Sequence, residues 1–235
     1  MHVFWNLTVT ELKLFVREPL AVFFILAFPL ILLWLNGSQF GNEVGRLVPG
    51  YVALVLATVG LTQLPGVLAT YRERGILRRL ATTPVPPATV LGAQLVVYLV
   101  AGAVGVALLL VAATALYDLA LPRAAAAAAV IYVAGALAMC ALGFIVAALA
   151  PNARTANAIG FVVYFPMIFL CGAVIPRDAL AASMRRVGEF LPLGPVVTGL
   201  GDAWSGAGLD LAALAALAVM VAIASVVGAR VFRWE

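Results

Sequence analysis

Apolar residues in this chain gather into six long blocks, and polar residues fall almost wholly between them. The blocks run from Pro19 to Leu35, Leu47 to Tyr71, Pro87 to Leu116, Ala124 to Ala150, Ala156 to Ile175 and Leu209 to Ala229. Apart from Asp210 at a border, none of them holds an Asp, Glu, Lys or Arg. A hydrocarbon layer of about 30 Å is crossed by roughly 20 helical residues, so each block reads as a transmembrane helix. The first block does not suit the core of a signal peptide: Glu11 and Glu18 precede it, Pro29 interrupts it, and no small-residue cleavage site follows Leu35. The expected fold is an all-α polytopic membrane protein.

Four segments outside the blocks carry patterns of their own. In residues 1–18, Asn6, Thr10, Lys13 and Arg17 recur at spacings of four, three and four, a polar stripe on a helix whose other faces carry Phe4, Trp5, Leu7, Leu12, Phe15 and Val16. That pattern suits a helix lying in the membrane interface, ended by Pro19 because the residue before a proline avoids the α region. In residues 72–83, a short helix sets Ile76, Leu77 and Leu80 on one side, with Arg72, Arg74, Arg78 and Arg79 around them, before Pro84, Pro86 and Pro87 stop it. Four arginines would serve as a membrane anchor, whereas three aliphatic residues on one side suit docking. Residues 176–208 are too long for a turn and too apolar for a solvated linker, and their prolines and glycines divide them into short helices dipping back toward the membrane. Pro151 to Thr155 is a tight connection.

Composition confirms the solvent. Of 235 residues, 65% are hydrophobic and 10% charged, against about 45–50% and about 25% in a soluble domain; so few charges cannot cover a water-exposed surface. An even number of spans puts both ends on one side. That side carries nine bases, Lys13, Arg17, Arg72, Arg74, Arg78, Arg79, Arg154, Arg230 and Arg233, against five at Arg46, Arg123, Arg177, Arg185 and Arg186 on the other. Orientation follows the Lys/Arg bias of short loops, so both termini are expected in the cytoplasm. Thirteen Arg to one Lys, with abundant Ala, fits a GC-rich bacterial genome and a bacterial cell membrane. The net charge of +4 lies in membrane-flanking loops, which argues against a nucleic-acid partner.

Chemistry is sparse. His2 is the sole histidine and cannot form a metal site alone, while Cys140 and Cys171 sit in apolar stretches as small packing residues. No GxxxxGK[ST], HExxH, CxxC or GxSxG occurs. The polar groups at depth are Thr58, Thr62, Gln63, Gln94, Thr114 and Asn157, all neutral, whereas a proton- or sodium-driven carrier normally keeps ionisable groups there; sodium held by carbonyls and hydroxyls is the route left to a gradient-driven carrier. An intramembrane enzyme needs a nucleophile beside a base, and no span offers one. A chain without such an engine is passive, structural or driven by another subunit.

The Arg17-Glu18-Pro19 exit of the first helix, the run Tyr71-Arg-Glu-Arg-Gly-Ile-Leu-Arg-Arg-Leu-Ala-Thr-Thr-Pro84, the Pro-rich start of span three and the Pro176 segment before the last span together resemble the membrane permeases of the ABC-2 class. The chain looks like the type common in actinobacterial drug exporters of the daunorubicin-resistance kind. The resemblance covers essentially the whole chain. It implies a half-transporter: two six-span chains, identical or related, pair around a central pathway, and two ATPase subunits dock beneath. ATP and Mg are then bound by those subunits, with no cofactor in this chain. The short helix after span two becomes the coupling helix, formed by Arg74, Ile76, Leu77, Arg78, Arg79 and Leu80, with the Pro151 to Arg154 turn as a second contact and the 176–208 segment as external re-entrant helices.

Span five sets Phe161, Tyr164, Phe165 and Phe169 on one face with Asn157 near its end; span two supplies Thr58, Thr62 and Gln63, and span one Phe24 and Phe28. Aromatic stripes at helical spacing also serve plain packing, and the residues alone leave both readings open. The resemblance implies that spans one, two and five border the pathway. Aromatics with a few neutral hydroxyls and amides suit a hydrophobic or amphipathic cargo, a drug, antibiotic or lipid. A lipid-linked glycan is the alternative within the class, and it demands more hydrogen-bond partners than this surface holds.

Overall fold

The computed structural model describes residues 2–76, 87–175 and 177–231, and among them every regular element is helical. In chain order these are α1 (His2–Val16), α2 (Pro19–Gln39), α3 (Val44–Glu73), α4 (Pro87–Tyr117), α5 (Ala125–Leu149), α6 (Ala153–Leu170), α7 (Ala182–Phe190), α8 (Gly194–Ser205) and α9 (Leu211–Val231). Six of them, α2 to α6 and α9, are long and apolar enough to cross a membrane.

Helix ends depart from the apolar blocks where a polar side chain finds a backbone partner. The first span continues past Leu35 because Asn36 Nδ2 donates to Leu32 O at 3.0 Å and Ser38 Oγ to Leu35 O at 2.7 Å, so polar residues extend the helix instead of breaking it. α6 begins before Ala156, at Ala153, because Asn152 Oδ1 accepts from Thr155 N at 2.8 Å as an N-cap. It ends at Leu170, short of Ile175. Gly172 takes φ +82°, with Ala173 N donating to Ile168 O and Gly172 N to Phe169 O, a left-handed C-terminal cap that hydropathy does not register.

α3 is the mast of the bundle, with 89% of its most apolar window buried within the chain. It is wrapped by α5, α6, α4 and α8. Pro65 lacks an N–H, so the Leu61 carbonyl four residues back loses its usual donor, and Thr58–Gln63 relaxes into a wider π turn. Pro29 does the same to Ile25 in α2, where Phe23–Ala27 is the π turn. Each released carbonyl is faced by a glycine of a neighbouring helix: a Cβ on Gly160 of α6 would fall on Leu61 O, and one on Gly105 of α4 would fall on Ile25 O. Gly143 of α5 meets the Gly60 carbonyl in the same way. Such small residues let backbones cross at close range where lipid gives no hydrophobic drive to associate.

α1 has three faces. Phe4, Thr8, Glu11 and Phe15 turn toward the bundle, chiefly against α4; Trp5, Leu12 and Val16 are exposed and apolar; Thr10, Lys13 and Arg17 form the exposed polar stripe. At the opposite end of the bundle, α8 is inserted between α5, α9 and α3, burying Val196, Leu200 and Ala203. α7 keeps Met184, Val187 and Phe190 exposed at a spacing of three, an apolar face suited to the interface.

Candidate functional site

The rings of α2 and α6 form one continuous cluster. Phe24 meets Phe28 at 5.6 Å between centroids and Phe161 of α6 at 6.1 Å; Phe161 then stacks on Phe165 at 6.0 Å with 23° between planes and meets Tyr164 edge-on at 6.5 Å. Pairs at these spacings favour offset or edge geometries by about 0.5–1.5 kcal/mol beyond their burial. The cluster has an inner and an outer part. Tyr164 is fully buried, its hydroxyl 3.0 Å from Thr58 Oγ1, which in turn donates to Leu54 O. Phe165 and Phe169 are 45% and 42% exposed on the outer surface of α6, beside Val162.

The polar candidates of α3 point into the chain. Thr62 is buried and donates to Thr58 O at 2.7 Å, while Gln63 Nε2 donates to Thr62 Oγ1 at 3.3 Å. Asn157 lies against Gly66, where a Cβ would collide with its Oδ1. Thr62, Gln63, Asn157 and Phe161 come together on the wall of a cavity of about 370 Å³ at the α1 end of the bundle. The cavity also takes in Glu11 and Glu18, Tyr71 and Arg74 of the α3 end, and Gln94 and Tyr98 of α4. Phe161, the ring that joins Phe24 to Tyr164 and Phe165, therefore belongs both to the aromatic cluster and to this wall, which mixes carboxylates, amides and two phenols.

Two residues of this cavity, Glu11 and Tyr71, were not predicted as site residues from sequence. Glu11 is buried and accepts a hydrogen bond from the Tyr71 hydroxyl at 2.5 Å, and Gln94 Nε2 donates to that same hydroxyl at 3.5 Å. The available signal was register: Glu11 lies off the Asn6-Thr10-Lys13-Arg17 stripe and on the face of Phe4, Thr8 and Phe15, where a carboxylate needs a partner. Of the coupling residues, Arg74 lies at the cavity and Ile76 is half-buried; Leu77, Arg78, Arg79 and Leu80 lie outside the described residues. Among the described residues no group of His, Cys, Asp and Glu could hold a metal ion.

Set against known proteins, residues 2–202 match the family model described as ABC-2 type transporter. No curated protein matches the chain.

Proposed function

This chain belongs to the ABC-2 type transporter family, and from that membership we propose that it is the permease half of an exporter for a hydrophobic or amphipathic compound. As an ABC-2 membrane domain it is a multi-pass permease component of an ABC transporter, a transport part that works with an ABC ATPase. The finer reading is ours: two copies of the chain, or this chain and a related one, pair in a bacterial cell membrane with both termini cytoplasmic. Two ATPase subunits bind ATP and Mg beneath them, and the segment Arg74 to Leu80 couples the two. The cargo is a drug, antibiotic or lipid.

The observation that carries the cargo reading is the continuity of the Phe24, Phe28, Phe161 and Phe165 rings with the cavity walled by Gln63, Asn157 and Glu11. A flat apolar body stacks on such rings, and sparse polar groups at one end orient it. The exposed face of α6, with Val162, Phe165 and Phe169, is where the second permease chain would close the pathway.

The test is copurification with a candidate ABC ATPase, followed by hydrolysis measurements in nanodiscs. Planar amphiphiles are expected to raise ATP hydrolysis and to be moved outward. Stimulation by lipid-linked glycans alone would favour the glycan alternative, and transport that persists without the ATPase under an ion gradient would overturn the reading.

A further inference from the structure

Arg72 and Glu73 are neighbours on the last turn of α3, and they reach the ends of two different helices. Arg72 Nη1 donates to Ala147 O, in the last turn of α5, at 3.1 Å and Nη2 to the carbonyl of Ala150, the residue that caps that helix. Glu73 Oε1 accepts from Ala153 N, the first residue of α6, at 2.7 Å. A cation thus meets the negative end of α5 and an anion the positive end of α6, with the Pro151-Asn152 turn held between them. Below the pair, Ala69, Ala150 and Ala156 are buried together, and these methyl-sized side chains let three helices end within reach of one another. Immediately beyond it, Gly75 adopts φ +64° in open space and ends the helix.

We propose that Arg72 and Glu73 are positioning residues that lock the α5–α6 turn to the end of α3, so that a displacement of the segment after Gly75 reaches three spans together. The inference rests on the exporter reading above, in which that segment meets the ATPase. α5 and α6 are each held to α3 at a second height, through Gly143 on Gly60 and Gly160 on Leu61. A helix fastened at one point can swing about it, whereas one fastened at two must follow. The order of the charges matters as much as their presence: Glu-Arg in place of Arg-Glu sets each charge against the helix end that repels it, while net charge and membrane anchoring stay the same.

The experiment compares Glu73→Ala, Glu73→Gln and the exchange of residues 72 and 73 (Arg72→Glu with Glu73→Arg) in the full permease assembled with its ATPase. Amide exchange at Ala153 and the number of transport events per ATP are both read. Glu73→Ala and the exchange should raise Ala153 exchange roughly tenfold or more, the loss of a charge-assisted bond, and lower transport per ATP several-fold with the ATPase still bound. Glu73→Gln keeps an acceptor oxygen but not the charge, and should restore both readouts in part. Unchanged Ala153 exchange in Glu73→Ala, or faster exchange with transport per ATP intact, overturns the proposal. Failure of the exporter reading is seen separately, as absence of ATP-driven transport in the unaltered assembly.

Discussion

Tyr164 and Phe165 are adjacent in sequence and opposite in circumstance. Tyr164 is sealed against α3 by its bond to Thr58, while nearly half of Phe165 faces outward. Truncating Tyr164 to Ala should cost about 3–5 kcal/mol as a large-to-small core change, and Tyr164→Phe only about 1 kcal/mol, because Thr58 keeps its Leu54 acceptor. Phe165→Ala should leave thermal unfolding nearly unchanged and reduce cargo-stimulated ATP hydrolysis. Unfolding scans beside stimulation curves would check the pair, and an inert Phe165→Ala would move the pathway elsewhere. Sequence brought Phe24, Phe28, Phe161, Tyr164 and Phe165 onto the page but not their sorting, since one helical stripe cannot say which ring a neighbouring helix covers. Glu11 escaped for the same reason: its importance comes from Tyr71, sixty positions away. The two cysteines are silent partners. Both Cys140 and Cys171 are buried, and burial pushes the Cys171 thiol up to about 12 against smaller downward pulls from Arg177 and the Leu193 backbone, so at neutral pH it stays protonated and unreactive.

At the scale of elements, the six spans were legible because lipid demands long uncharged runs, whatever the tertiary contacts. Their ends were not. The apolar run to Ile175 hid the left-handed Gly172, and the gap before Ala156 hid the Asn152 cap. Nor could Pro29 and Pro65 announce that each would open a π turn with a glycine from another helix set against the freed carbonyl. One matched pair of substitutions tests that packing. Gly160→Ala places a methyl on Leu61 O and should destabilise by at least the 1–3 kcal/mol typical of overpacking. Gly201→Ala in α8 meets nothing within 4 Å and should be neutral or stabilise by about 0.5–1 kcal/mol. Equal melting temperatures for the two would dissolve the close-crossing account.

For the whole molecule, the buried native cysteines make thiol labelling a clean reporter of orientation. Arg74 and Arg185 are both exposed, at opposite ends of the bundle. In intact cells Arg185→Cys should react with an impermeant maleimide and Arg74→Cys should not; the reverse pattern would invert the orientation drawn from the basic loops. The wrapping of α3 has a consequence for biosynthesis as well. This helix leaves the ribosome before α5 and α6 exist, so the glycines that will clasp it have yet to be translated when it first meets lipid. Thr58, Thr62 and Thr70 each bond a carbonyl one turn back in α3 itself, and such hydroxyls ask nothing of a helix that has not yet arrived. The mast of the bundle is thus fit to wait alone in the bilayer until the rest of the chain closes around it.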